Sequence, residues 1–216
     1  MSFPRIPRFI ATACILAWRT LNAHGQDGSL TLISSNPVPL PLQVSVRNEA
    51  IIGLQQIHRA YVSVGTNMFA FAVPDDFHVD SSNPSKVVLV QADYNCFLAM
   101  RVISPAPERE SQPDFYRGLV LEEYPSAKIV AEFAQAAGPY NGPVYDLQWT
   151  NASRVQQSAR VLFIPSRVGT IEMILLSRSE KFSDSKRFFD FLRSSYCTDD
   201  AGPIKPILAP KEPPRS

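Results

Sequence analysis

An enzyme that works by acid–base or nucleophilic chemistry needs a base held against its reacting group, so the histidines, cysteines and paired carboxylates come first. The three histidines, His24, His58 and His78, are far apart in the chain, and none lies in a serine or cysteine context of the triad kind. No serine sits in a G-x-S-x-G elbow, and neither G-x-G-x-x-G nor G-x-x-x-x-G-K-[ST] occurs, so phosphate-cradling loops have no support. Asp75-Asp76 and Asp199-Asp200 each offer two carboxylates without the D-x-[DN]-x-[DN]-G spacing of a calcium loop, and read as solvated turn and tail residues. No His or Cys stands at metal-ligand spacing. The expectation is no catalytic residue, no cofactor and no metal. The enzymatic alternative is a small exported hydrolase or ligand carrier whose site gathers scattered residues such as His78, Asp93 and Arg101.

The cysteines point elsewhere. Cys14 falls in an N-terminal segment with the pattern of an export signal: Arg5 and Arg8, an uncharged run over Phe9–Trp18, and a small residue at Ala23. That run is too short to span a bilayer, which takes about 20 apolar residues, so no transmembrane segment is expected in the mature chain. Cleavage after Ala23 leaves Cys96 and Cys197, and an even pair in a periplasmic or extracellular protein reads as a disulfide. It also removes Arg5, Arg8 and Arg19, leaving 18 basic and 20 acidic residues, a net charge of −2 in place of +1. Neither balance is the basic footprint of a nucleic-acid binder. Asn151-Ala152-Ser153 is an N-glycosylation sequon suited to a surface loop.

The elements that would carry these residues follow from periodicity. With 45% hydrophobic and 19% charged residues the chain can build a core. Residues 24–60 read as a Pro-rich linker (Pro37, Pro39, Pro41), with a short helix possible over Asn48–Arg59, and a single domain is expected over 61–197. Tyr61–Val64 and Met68–Val73 flank the turn Gly65-Thr66-Asn67, a hairpin. Lys86–Ala92 and Cys96–Ile103 are apolar on both faces and need cover on each side. A helix with Ser111 as N-cap carries Phe115, Tyr116, Leu119 and Val120 on one stripe and stops at Pro125. Ala127–Ala134 allows helix or strand, and the turn residues after it favour strand. Val144–Trp149, Ala159–Ile164 and Ile171–Ser177 form a meander, with Tyr145, Leu147 and Trp149 on one face. Phe182–Tyr196 returns to helical spacing, with Phe182, Phe189 and Tyr196 a heptad apart and Phe188 and Leu192 completing the stripe to be buried. Tyr94 and Tyr140 fall in turns and are expected to be exposed. The tail 198–216 holds five prolines and no aromatics, and is expected to be disordered.

Strands, helix, strands, helix with short connections predict an α+β domain: an antiparallel sheet of about six to seven strands covered by helices. The element order, the run Phe-Ala-Phe-Ala-Val-Pro-Asp-Asp-Phe at 69–77 and Gly-Pro-Val-Tyr-Asp-Leu at 142–147 resemble the PsbP-like α/β/α sandwich family over about residues 61–196. That resemblance implies a binding or assembly module without catalytic residues. No functional residue transfers, because shared fold does not carry function. The functional expectation is an exported, non-catalytic binding or assembly module whose partner is a protein or an envelope component.

Overall fold

Period-two apolar runs dictate the long strands. The computed structural model describes residues 37–50, 56–104 and 112–198. All of these belong to one unit, Asn36–Ser216; the other unit, Met1–Ser35, lies outside the described residues, as do the export signal and residues 199–216 of the tail. In chain order the strands are β1 (Val38–Pro39), β2 (Gln43–Ala50), β3 (Gln56–Val64), β4 (Asn67–Val73), β5 (Phe77–Asp80), β6 (Val87–Gln91) and β7 (Cys96–Ser104). Helix α1 (Gln112–Glu123) leads into β8 (Lys128–Ala137), β9 (Tyr140–Thr150), β10 (Gln156–Ser166) and β11 (Gly169–Arg178). A 3-10 turn (Ser179–Lys181), helix α2 (Phe182–Ser194) and β12 (Cys197–Thr198) follow.

The strands form two antiparallel sheets. The main one runs β5-β6-β7-β11-β10-β9-β8, with β1 added to β7 as an eighth strand; the smaller one runs β12-β4-β3-β2. Side chains alternate across the main sheet, so its two faces have separate cores. Leu162, Ile164, Met173 and Leu98 face the small sheet (Val62, Phe71) and α2 (Phe189, Leu192). Val161, Phe163, Ile174 and Leu147 face α1 (Tyr116, Val120). Tyr116 stacks on Phe163 with ring centroids 4.5 Å apart, and its hydroxyl shares a hydrogen bond of 2.9 Å with Thr170 Oγ1.

The end of α2 is tied to the β8–β9 hairpin. Gly138 N donates to Arg193 O at 3.2 Å and the Arg193 guanidinium donates to Ala136 O at 2.9 Å, so a helix-terminal carbonyl finds a partner. Gly138 has φ +55°, and a Cβ there would lie 2.7 Å from Tyr196 O, so both backbone and space call for glycine.

Four expectations are corrected. The sheet has more strands than six or seven, and a second sheet, rather than helices alone, covers much of one face; α1 alone among the helices covers the other. The linker and short helix give way to β1, β2 and β3, so the folded unit starts well before Tyr61. The alternation of Ala60, Val62 and Val64 toward the core extends through β3 and pairs with β2, outweighing the helix-like spacing around Gly53. Cys96 and Cys197 are free thiols rather than a disulfide: Cys96 lies buried in the main sheet opposite Ser177, while Cys197 pairs with Ala70 in the small one. Burial pushes the Cys96 thiol up to about 12, and Cys197 Sγ lies 3.5 Å from both Ala70 O and the Arg59 guanidinium. Finally, Tyr140 packs part-buried against the core, whereas Tyr94 is exposed as expected. The open choice at Ala127–Ala134 resolves as strand β8.

Candidate functional site

Two features of the main sheet carry chemistry beyond packing: a free edge and a buried group of charges. β8 is the terminal strand, with β9 as its one strand neighbour. It is ten residues long, contains no proline, and has two charges, Lys128 and Glu132. A register shift between Ile129 and Ala131 puts a bulge at Val130, after which Ala131–Ala137 pairs without interruption. Val130 is 46% exposed and Phe133 38%, and Ala131, Ala134 and Ala136 are exposed beside them. The other terminal strands among the described residues differ: β5 has four residues, β1 and β12 two each, and β2 is largely polar. A long apolar edge with unpaired backbone groups is a template for strand addition, which most edges resist by shortness or charge.

The buried charges lie on the α1 face. Arg101 on β7 and Glu172 on β11 are directly opposed in the sheet. Arg101 Nε donates to Glu172 Oε2 and its Nη2 to Glu123 Oε2, so one guanidinium serves two carboxylates. The Glu172 side chain is 1% exposed, those of Arg101 and Glu123 19% and 21%. Burial, then the Glu172 charge, pushes Glu123 up to about 7 despite Arg101. Lys86 is held below its usual value, first by burial and then by Arg101. Tyr124, next to Glu123, is raised by burial, and its ring lies 5.5 Å from that of Trp149.

The residues of the enzymatic alternative have separate partners. His78 is exposed on β5, and the nearby Asp80 carboxylate accepts from the amide of Ser82. Asp93 accepts hydrogen bonds from Asn95 in the β6–β7 turn, which lower its carboxyl. Arg101 alone reaches a charged cluster. Asp75 and Asp76 are exposed in a turn, and His58 Nδ1 bonds Asn48 Oδ1 at 2.7 Å. Asn151 sits in the β9–β10 loop, its side chain accepting from the amides of Ser153 and Val155. Among the described residues no three His, Cys, Asp or Glu gather as metal ligands, and no helix is long and apolar enough to cross a membrane. Glu123, Glu172 and Lys86 were not picked out by sequence reasoning. The available signal was a lone charge inside an apolar strand, Met100-Arg101-Val102 and Ile171-Glu172-Met173, which is costly unless paired.

No protein-family model matches the chain, and no curated protein matches it. Solved structures do. The chain is similar to cyanobacterial PsbP from Synechocystis sp. PCC 6803, with 16% identity over 79% of this chain and 97% of that one and a TM-score of 0.39. It is also similar to LpqN, involved in cell envelope biogenesis of Mycobacterium tuberculosis, with 14% identity over 73% of this chain and 91% of that one and a TM-score of 0.44. A protein from Bacteroides thetaiotaomicron VPI-5482 is 9% identical over 60% of this chain, with a TM-score of 0.39; the chain spans 44% of that protein's length. The PsbP-like resemblance is a loose one of fold, and it extends to no activity or partner.

Proposed function

We propose that this chain is an exported, non-catalytic module that assembles with a protein partner by accepting an extended segment of it along β8. The observation that carries the reading is the outer edge of β8 over Ala131–Gln135, which no second strand covers and which is apolar apart from Gln135 and from Glu132, whose carboxylate is engaged by Arg117 at 2.5 Å; beyond it Ala136 O is taken by Arg193. Main-chain hydrogen bonds would supply affinity, and Val130 and Phe133 the apolar contacts that select an uncharged segment. A photo-cross-linker at Ala134 in the native host should give one defined protein adduct. An extended peptide from the adduct site should then shift β8 amides of the purified protein. Val130→Lys with Ala134→Lys should abolish that binding without moving Tm, because charges on an edge block strand addition and both positions are exposed. Peptide shifts confined to another surface, or a hydrolase activity lost in His78→Ala, would refute the reading.

Export rests on Arg5, Arg8 and the run Phe9–Trp18, outside the described residues. Intact mass of protein from its native host should lack the first twenty-three residues; retained Met1 would refute it.

A further inference from the structure

Helix α1 ends on a charge arrangement that opposes its own docking. Glu123 is its last residue, where the negative end of the helix dipole disfavours an anion, and no basic residue stands in its last turn. Among the described residues the guanidinium bonded to that carboxylate, that of Arg101, is already bonded to Glu172. The charges that face it are Glu172 from β11, Arg101 from β7, Lys86 from the loop before β6, and the hydroxyl of Tyr124 beside it; Lys86 is also drawn on by Asp80. Two carboxylates bonded to one desolvated guanidinium repel each other, and the Lys86 ammonium beside them offsets this only in part.

We propose that Glu123, Glu172 and Arg101 form a proton-operated latch, which seats the C-terminal turn of α1 on the sheet tightly below neutral pH and loosely above it. Glu123 is the member that takes the proton, because Glu172 is the more deeply enclosed partner of Arg101 within the sheet while Glu123 rides on the helix. A neutral Glu123 still accepts from Arg101 Nη2 through its carbonyl oxygen, so the contact survives while the repulsion by Glu172 disappears. The earlier part of α1 is held independently by the Tyr116–Phe163 stack and the Tyr116–Thr170 hydrogen bond. The device therefore acts on the last turn. The sign follows from a folded carboxyl that binds its proton more tightly than in the unfolded chain. Its stabilising effect is complete below about 4.5, the ordinary value, and is lost as pH rises through about 7.

The test uses the full chain. A carbon-13 titration of the Glu123 carboxyl should show a midpoint near 7. Hydrogen-exchange protection factors of Leu119–Glu123, corrected for the intrinsic pH dependence of exchange, should fall at least tenfold between pH 5.5 and pH 8, since the displacement from about 4.5 to about 7 exceeds one unit and each unit is a factor of ten. In Glu123→Gln the same protection should be flat. A midpoint in the ordinary carboxylate range overturns the latch. So does a midpoint near 7 with flat wild-type protection, or a Glu123→Gln profile that still falls. Because the wild-type titration needs no variant, poor folding of Glu123→Gln would leave the test intact.

Discussion

The two faces of the main sheet each hold a cross-strand ion pair, and a helix adds a third charge to each. On the α2 face Arg160 and Asp146 are directly opposed and bond in bidentate fashion at 2.7 and 2.8 Å. There α2 adds a cation, Lys186, 3.7 Å from the same carboxylate, and the Arg160 guanidinium lies 5.0 Å from the centre of the Phe133 ring. On the α1 face Arg101 and Glu172 are opposed in the same way, and α1 adds an anion. Identical strand chemistry thus gives a clamp where the helix brings the opposite sign to the buried acid, and a pH-sensitive joint where it repeats that sign. The lesson is that the helix, not the sheet, decides which kind of charge group results.

That contrast can be broken most strongly at its balanced end. Arg160→Ala removes the bidentate partner of a nearly buried carboxylate and should cost about 3–5 kcal/mol in urea unfolding. A loss below about 1 kcal/mol would show that the α2 face is not clamped by this pair. Next, Lys186→Glu gives the α2 face the sign pattern of the α1 face. It should cost about 1 kcal/mol at pH 7, tempered by the exposure of that position, and make stability fall as pH rises through the carboxylate range. A pH profile parallel to wild type would separate the two faces for reasons other than the third charge. The smallest change sharpens the unbalanced end: Glu123→Gln should gain up to about 1 kcal/mol at pH 8 and nothing near pH 4.5. Equal effects at both pH values would contradict it.

Much of the domain was legible because period-two runs and turn residues agree locally. The strands from β4 to β11, except the short β5, and both helices follow from apolar alternation, Gly and Pro turns and two heptad-like stripes. β2 was hidden because Gln43, Ser45, Arg47 and Glu49 form a polar outer face beside a Pro-rich approach, and its partner β3 was read only from Tyr61 onward. The layer order was not legible at all, since an apolar face does not say whether a sheet or a helix will cover it. The charge cluster joins residues 86, 101, 123 and 172, whose proximity depends on the long-range pairing of β7 with β11. The cysteine pairing failed for a related reason: counting thiols says nothing of which sheet each one enters.

The tie between Gly138, Arg193 and the strand β12 has a kinetic side. Cys197 pairs with Ala70, and Arg193 and Tyr196 sit against Gly138, so the closing contacts join the end of the domain to its early β3–β4 hairpin and to the β8–β9 turn. Loops of that length are slow to close and give little return until both ends arrive. A chain emerging from the ribosome can therefore form local hairpins such as β3–β4, while the small sheet lacks its β12 edge until residue 198 is free. The domain commits to its final shape last, which keeps it threadable while it is being made.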